Sequence, residues 1–399
     1  MNKKILFIAI SLISLCSCGE TSTTITPSNT ITPPTTSVAT TITTTSTIVK
    51  TYTITWKNYD GTVLEVDNDV PYGTMPSYDG KTPSKEANGN ITYIFNGWDP
   101  NVVNATEDAT YTAKFSEFKN DDSTPGLSPI LNSNNEIEYG FYPQTNVKDQ
   151  EIINELNKLS PSEINNWYYY NGEYYVKEIA NIYNNESYKF DNGTSIVNGE
   201  SYWFKCETIK WKMLKETDGS MLLLSSKLLD AKEFYDSFDQ RVIDSKTTYA
   251  NNYKESNIRN FLNNDFYNSA FKLNNEFIIN TNVNNNASNT DSSDNKYICE
   301  DTQDKVFLLT YKDYLDANYG FETNVSVKSQ TREAKTTDYA RARGAFCNTS
   351  NYTGAYWTRS PSSEYDYCAW NVNSAGFMSE YVVLGDEYCI RPSVSINIK

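Results

Sequence analysis

Histidine is absent from this chain of 399 residues. His is the side chain that most often acts as a general base near neutral pH, and its imidazole is the commonest metal ligand. Its absence removes Ser–His and Cys–His nucleophile pairs and every zinc site that uses imidazole. The sequence therefore excludes the most common hydrolase and zinc-enzyme mechanisms, and we expect neither a metal nor a cofactor.

Positive charge is also scarce, because 34 Lys and Arg stand against 50 Asp and Glu, for a formal net charge of −16. Proteins that bind nucleic acid neutralise its phosphates with clustered Lys and Arg, so the sequence predicts no nucleic-acid partner. Hydrophobic residues make up 38% of the chain, which is low for one compact domain. At roughly 100–200 residues per domain, the length predicts about two domains with linkers.

The N-terminus is typical of an exported protein. Two lysines precede an apolar run of 11 residues at 5–15, whereas a membrane-spanning helix needs roughly 20, so the run indicates a signal peptide. The run ends in LCSCG, which resembles a bacterial lipobox with Ser17 before the lipidated Cys. The resemblance implies a signal peptide at 1–17 and lipidation of Cys18, which would anchor the chain to the outer face of the bacterial cell membrane. An ordinary signal peptide with two incidental cysteines is the alternative.

A polar stalk is predicted over residues 18–50, with the lipidated Cys as its first residue. Of the 28 residues at 21–48, 21 are Thr, Ser or Pro, and they show no hydrophobic periodicity. Such a segment cannot bury enough apolar surface to offset the entropy lost on ordering. We therefore expect a disordered stalk that holds the rest of the chain away from the membrane.

The first folded module is predicted at 51–116. Polar and apolar residues alternate in the manner of strands at 52–56, 91–95 and 110–115, and turn dipeptides such as Asp60-Gly61 separate them. The strings YTITWKNYDGTVL, VPYGTMPSYDG, YIFNGWDP and DATYTAKF resemble the internalin-type B repeat, also called the Listeria–Bacteroides repeat. The resemblance implies a small β-rich, β-grasp-like module that acts as a spacer or in adhesion. A linker is predicted at 117–135.

The remaining residues, 136–399, are predicted to form one large domain of the α+β class. Apolar residues at helical spacing indicate helices at 150–159 and 256–271, the second with Ser256 as its N-cap, and an amphipathic segment at 311–319. Strands are predicted at 136–142, 201–206, 209–215, 221–225, 306–309, 356–359, 367–372 and 390–396.

Several strings in this domain resemble one bacterial family, the domain-of-unknown-function family six-two-seven-three. They are EYGFYPQT, IKWKMLKETDGSMLLLSSKLLD, NIRNFLNNDFYNSAF, DKVFLLTYKDY, TDYARARGAF, YWTRSP and CIRPSV, and together they span about 136–399. The family supplies no activity. The closing order of YWTRSP, an AWNV strand, a Gly-bearing turn and an IRPSV strand also resembles the end of C-type-lectin-like domains, which implies that fold here.

Five residues near the C-terminus are candidates for ligand binding. Trp357, Tyr365 and Trp370 could stack on sugar rings, since aromatic faces present apolar surface beside a polar group. Arg359 and Arg391 could hold a carboxylate or sulfate through bidentate contacts. Structural roles remain open for all five, because such arginines also tie strands together and such aromatic residues also fill cores.

Calcium-dependent sugar binding is not predicted. Lectins of the C-type fold that bind sugar through calcium carry EPN or QPD with a WND triplet, whereas this chain has WNV at 370–372 and neither EPN nor QPD. The acidic loop at 291–294 lacks the spacing of an EF-hand. We interpret it as a solvated loop.

Five cysteines follow the signal region, and an odd count leaves at least one thiol unpaired in an exported protein. Cys368 and Cys389 fall on predicted strands that could be neighbours, so we expect a disulfide between them.

The order of anchor, stalk, spacer and terminal domain predicts a non-enzymatic, adhesin-like cell-surface lipoprotein that displays a binding domain for a glycan, peptide or envelope polymer. A structural or assembly component of the cell envelope is the alternative. A glycan-active enzyme is a third class, for which Glu136 and Glu138 are the carboxylates to consider. A glycosidase needs two carboxyl groups that face each other across a cleft, and their i, i+2 spacing is also that of a solvated strand face.

Overall fold

The structure is a computed structural model, and it describes residues 50–89, 91–119, 126–132, 134–161, 167–217 and 219–397. The predicted signal peptide, the lipidation site Cys18 and nearly all of the predicted stalk lie outside the described residues and stay predictions. Among the helices that are described, none combines the length and the apolar character needed to cross a bilayer.

The N-terminal module is a four-stranded sheet with the order β2-β1-β4-β3, in which β1 and β4 are parallel. Its strands are β1 (Thr51–Lys57), β2 (Val63–Pro71), β3 (Ile91–Asp99) and β4 (Ala109–Lys119). Alternate residues of β1 are buried, and the Trp56 ring lies 4.7 Å from that of Trp98 and 5.0 Å from that of Tyr111, between centroids. These aromatic residues form the core that the alternation predicted.

The strand predictions at 52–56, 91–95 and 110–115 are confirmed. The β-grasp-like expectation, in which a helix packs across the sheet, is wrong for the part of this module that the structure describes, because it contains no helix. Strand β4 continues to Lys119, past the predicted end of the module at 116.

Strands occur throughout the described part of the C-terminal region. They are β5 (Ile130–Leu131), β6 (Glu136–Asn146), β7 (Tyr168–Tyr170), β8 (Glu173–Ile179), β9 (Ser201–Thr217), β10 (Ser220–Ser225), β11 (Asp230–Ala231), β12 (Arg241–Ile243), β13 (Lys246–Thr248), β14 (Thr281–Val283), β15 (Thr302–Asp304), β16 (Tyr356–Pro361), β17 (Cys368–Val372), β18 (Met378–Val382), β19 (Cys389–Ile390) and β20 (Ser393–Asn397). The helices are α1 (Gln150–Leu156), α2 (Asn257–Phe261), α3 (Tyr267–Ala270) and α4 (Asp338–Ala342), with a π-helical turn at Leu262–Phe266 between α2 and α3.

Two main sheets organise these strands. The larger has the order β20-β10-β9-β6-β5, and the hairpin β7–β8 joins it because β8 also pairs with β9. The smaller has the order β11-β19-β16-β17-β18, and two-stranded ribbons are formed by β12 with β13 and by β14 with β15. The 17-residue strand β9 is the centre of the larger sheet, since β6, β8 and β10 all pair with it.

The two faces of the larger sheet differ in polarity. Ile137, Tyr139 and Trp211 point into the main core, where the helical stretch at 257–270 covers them. Glu136, Glu138, Thr208 and Lys210 occupy alternating positions on β6 and β9 and are not buried. Because side chains alternate between the two faces of a strand, these polar residues lie together on the outer face.

The α+β prediction is wrong. Strands account for 38% of the residues that the structure describes and helices for 11%, and the strands form several small sheets. The helical stretch at 257–270 exists, and Ser256 Oγ accepts from the backbone N–H of Arg259 at 3.2 Å as the predicted N-cap, but this stretch is broken into three short pieces. The segment 311–319 forms only two 3₁₀ turns, Asp313–Leu315 and Ala317–Tyr319. Nothing in this architecture supports the C-type-lectin-like fold.

Two boundaries also differ from the prediction. The strands predicted separately at 201–206 and 209–215 are one strand, β9, whose hairpin partner is β10. The predicted linker at 117–135 contains β5, which pairs with β6, so the C-terminal region begins before residue 136.

Candidate ligand-binding groove

An open groove of about 1010 Å³ lies on the outer face of the larger sheet. It exists because the neighbours of β9 on one side leave a gap: β8 pairs with residues 201–206 and β10 pairs with residues 211–217. Glu207, Thr208 and Lys210, which lie between these two stretches of β9, form the floor together with β6. The hairpin β7–β8 stands at one end of the groove, and the turn after β10 stands at the other.

The hairpin β7–β8 supplies an aromatic wall. Its two strands are joined by Asn171-Gly172, both with positive φ (50° and 85°), which is the geometry of the tight type I′ turn. The turn pairs Tyr169 with Tyr174, whose ring centroids are 5.0 Å apart, and Trp167 lies 5.7 Å behind Tyr174. Tyr169 is 55% exposed, so its ring is accessible to a ligand.

An ion pair lies at the foot of this wall. Lys205 donates to Oε1 of Glu173, and the Tyr175 hydroxyl donates to Oε2 at 2.9 Å. The hydrogen bond from Lys205 is the main cause that lowers the pKa of Glu173, while partial burial opposes it. The carboxylate therefore stays ionised at neutral pH, and the Lys205 ammonium is neutralised within the groove.

The middle of the floor is built by Gln144 and Thr145. Gln144 is only 7% exposed, and its Nε2 donates to the main-chain oxygens of Glu207 and Thr208 at 3.2 and 3.0 Å. This orientation leaves its Oε1 as an acceptor. Thr145 Oγ1 donates to Oε2 of Glu207 at 2.6 Å and so holds that carboxylate in place.

Glu136 and Glu138 lie at the far end. Glu136 accepts from the Ser226 hydroxyl. Glu138 accepts from Asn132 Nδ2 at 3.0 Å and from Thr208 Oγ1 at 3.3 Å, and Lys210 Nζ is 3.9 Å away. Both carboxylates are thus fixed on one face of one strand. They do not face each other from two sides of a cleft, as the glycosidase interpretation requires.

Three of the five predicted ligand residues are buried. Trp357 is 0% exposed, and its Nε1 donates to the Lys232 carbonyl at 3.0 Å. Arg359 donates to the main-chain oxygens of Leu308 and Asn284, and its Nη1 lies 3.7 Å from Asp313. These contacts support the structural alternative for both residues.

Arg391 is buried as well, at 4% exposure. Its Nε donates to the Ser225 carbonyl at 3.1 Å, and its Nη1 donates to the Arg332 carbonyl at 3.3 Å and to the Tyr356 hydroxyl at 2.9 Å. The guanidinium therefore connects β10 and β16 to the segment at Arg332, and these bonds again support a structural role.

The other two predicted residues differ in accessibility. Trp370 is half-buried and packs on Tyr311, with 4.5 Å between ring centroids. Tyr365 is 45% exposed and lies beside Tyr367, at 5.8 Å. Of the five candidates, Tyr365 is the most exposed, and none of the five lines the groove.

The predicted disulfide between Cys368 and Cys389 is wrong, because all five cysteines are free thiols. The two residues lie on β17 and β19, and β16 runs between these strands. Two strand spacings of about 4.8 Å exceed the Cα separation that a disulfide spans. Burial raises the pKa of the Cys368 thiol to about 11 and that of Cys389 well above its ordinary value.

Cys206, at the floor of the groove, is also buried, and burial raises the pKa of its thiol well above the usual range. It is therefore not a reactive nucleophile. Across the described parts of the chain, no three Cys, Asp or Glu side chains are grouped as a metal site would require.

The sequence contained one usable signal for this groove. Asn-Gly between two Tyr-rich runs is the strongest short-range indication of a hairpin, yet the strands predicted from the sequence include none between residues 142 and 201. The contacts of Glu207 and Gln144 could not be found in this way, since Glu207 and Thr145 are 62 positions apart.

Comparison with protein families found one match. Residues 218–398 match the family described as "Domain of unknown function (DUF6273)". This confirms the predicted family for that range, which is just under half of the chain, while residues 136–217 lie outside the match. Comparison with curated proteins found no match, and comparison with solved structures found none. The groove is built mainly from residues before 218, so the family match assigns it no role.

Proposed function

We propose that this chain is a non-enzymatic lipoprotein of the bacterial cell surface whose C-terminal region binds a glycan in the groove. The observation that carries the proposal is the groove itself, an open concavity of about 1010 Å³ in which an exposed aromatic wall adjoins fixed carboxylate, amide and hydroxyl groups. Ligand sites typically combine apolar walls with a few placed polar groups.

The chemistry of the lining favours a sugar over an extended peptide. A Tyr ring offers an apolar face to the C–H face of a sugar, and the acceptors on the floor suit its hydroxyl groups. A peptide that adds as a strand would need free main-chain groups. Gln144 already occupies the carbonyls of Glu207 and Thr208, and the Ser226 N–H occupies the Lys210 carbonyl at 2.8 Å.

The surface location rests on the sequence of the N-terminus, with its lipobox-like LCSCG and the Thr-rich segment that follows. The non-enzymatic character is supported by the lack of His and by the placement of Glu136 and Glu138 on one strand, β6.

A glycan array tests the proposal. The full chain, solubilised in detergent, is applied beside a variant with Tyr169→Ala and Gln144→Ala. A variant with Tyr365→Ala and Tyr367→Ala is the control, because it removes exposed rings outside the groove. We expect saturable binding to a glycan that the groove variant loses and the control keeps. Binding to no glycan, or binding lost only in the control, would overturn the proposal; binding to envelope proteins instead would favour the assembly alternative.

A further inference from the structure

Resting on the proposed function, we infer that the glycan bound in this groove is an amino sugar polymer with free, positively charged amino groups. The inference concerns the chemical class of the ligand, and it follows from how the charges of the lining are paired.

Acceptors without a cationic partner are placed along the groove. Glu207 is held by the Thr145 hydroxyl and Glu136 by the Ser226 hydroxyl, and neither carboxylate forms an ion pair within the described part of the chain. Gln144 is more than nine-tenths buried, and both of its recorded hydrogen bonds use the amide nitrogen, which leaves Oε1 as a further acceptor. Hydroxyl donors orient the carboxylates without neutralising them, so each keeps its charge for a ligand.

The lysines of the groove are mostly paired. Lys205 is in contact with Glu173, and Lys210 lies 3.9 Å from Glu138. Lys227, at the end of the groove, has no carboxylate within ion-pair distance among the residues that the structure describes. The lining therefore presents two carboxylates without a cationic partner, Glu136 and Glu207, and one ammonium without an anionic partner, that of Lys227. Lys227 follows Ser226, whose hydroxyl donates to Glu136.

An ammonium group on a sugar matches this pattern. It supplies three N–H donors to carboxylate and amide oxygens, and hydrogen bonds between charged groups are about twice as strong as neutral ones. The chain as a whole carries a net charge of −16, which attracts a polycation and repels an acidic polymer at long range. An N-acetylated sugar lacks the charge, and a uronic acid polymer has the wrong sign.

The test compares three probes on the full chain in detergent: an oligomer of glucosamine, an oligomer of N-acetylglucosamine of the same length, and an oligomer of galacturonic acid. Dissociation constants are measured at pH 6 and at two ionic strengths. We expect the glucosamine oligomer to bind at least tenfold more tightly than the acetylated one, with a preference that shrinks as salt rises.

Two variants locate the effect. Glu207→Gln keeps the shape and an acceptor for the Thr145 hydroxyl but removes the charge, and it should reduce the preference for the amine over the acetylated oligomer at least threefold. Glu155→Gln is the matched control, since Glu155 lies on α1, pairs with Lys158 on the surface and does not line the groove. It should change neither affinity.

Equal binding of the amine and its acetylated form, tighter binding of the acidic oligomer, or a full amine preference in Glu207→Gln would overturn the inference and leave the proposed glycan site standing. Binding of none of the three probes and of no glycan on the array would overturn both. The two failures are therefore distinguishable.

Discussion

Replacing Arg391 with Met decides whether this residue holds the fold or holds a ligand. The side chain is 4% exposed and makes three hydrogen bonds, two of them to main-chain carbonyls, and no carboxylate lies within ion-pair distance among the described residues. Met fills much of the volume of the aliphatic stem, so the substitution mainly removes the donors and the charge.

The magnitude follows from two opposing effects. Hydrogen bonds from a charged donor contribute about 1.5–3 kcal/mol each, and an acceptor left without a partner in the interior costs about 1–3 kcal/mol. Against this, removing an ion that is buried without a counter-ion recovers desolvation free energy. We expect Arg391→Met to lower the free energy of unfolding by about 2–4 kcal/mol, which at about 2 kcal/mol per M lowers the urea midpoint by about 1–2 M.

Urea unfolding followed by Trp fluorescence measures this loss, and glycan titration of the same variant measures affinity. Arg391→Lys keeps the charge but lacks the planar fork, so it should lose most of the same stability. Tyr365→Ala, at an exposed position, should change the free energy of unfolding by no more than about 0.5 kcal/mol. Unchanged stability in Arg391→Met together with lost glycan affinity would refute the structural assignment.

Three further outcomes are expected. The five cysteines after residue 135 are free, and burial raises their thiol pKa values. A thiol reagent at pH 8 should therefore label them only after denaturation. Rapid labelling of the folded protein, or a mass change on reduction, would contradict this. Contacts with Lys246 and Lys254 lower the pKa of Glu300 to about 2. These ion pairs therefore stabilise the fold at pH values above the pKa that Glu300 has in the unfolded chain, and this stabilisation is lost as the pH falls towards 2. An NMR titration midpoint near 4.5 for Glu300 would contradict the pairing. Gly376 has φ +76°, and a Cβ added there would overlap a facing main-chain carbonyl, whereas a Cβ added at Gly193, with φ +85°, would meet open space. Gly376→Ala should therefore lower the melting temperature clearly more than Gly193→Ala. Equal effects would contradict the close approach.

The sequence predicted local structure better than it predicted fold class. Alternation located β1, since Tyr52, Ile54 and Trp56 are each buried on one face, and Ser256 located the start of α2. Sheet order could not be predicted in this way, because pairing depends on contacts between distant residues. For example, β16 lies between β17 and β19, and the prediction of a Cys368–Cys389 disulfide is wrong because of this order.

The candidate site was harder still. Aromatic and Arg residues near the C-terminus were predicted to bind a ligand because side chains of these types often do. Trp357 and Arg359 are buried, however, and burial depends on packing, which residue type does not show. The groove depends on the gap between the β8 and β10 partners of β9. Only the hairpin that carries Tyr169 had a local signal, the Asn-Gly turn.

Hydroxyl-radical footprinting of the full chain tests most directly the claim that the groove is the glycan site. Two tyrosines with similar exposure report on the two competing sites, the groove and the C-terminal segment where the sequence predicted a ligand. Tyr169, at 55%, lies in the wall of the groove, and Tyr365, at 45%, lies outside it. With a saturating concentration of the glycan found on the array, the groove account predicts that oxidation of Tyr169 falls while that of Tyr365 is unchanged. Protection of Tyr365 with Tyr169 still fully oxidised would contradict it.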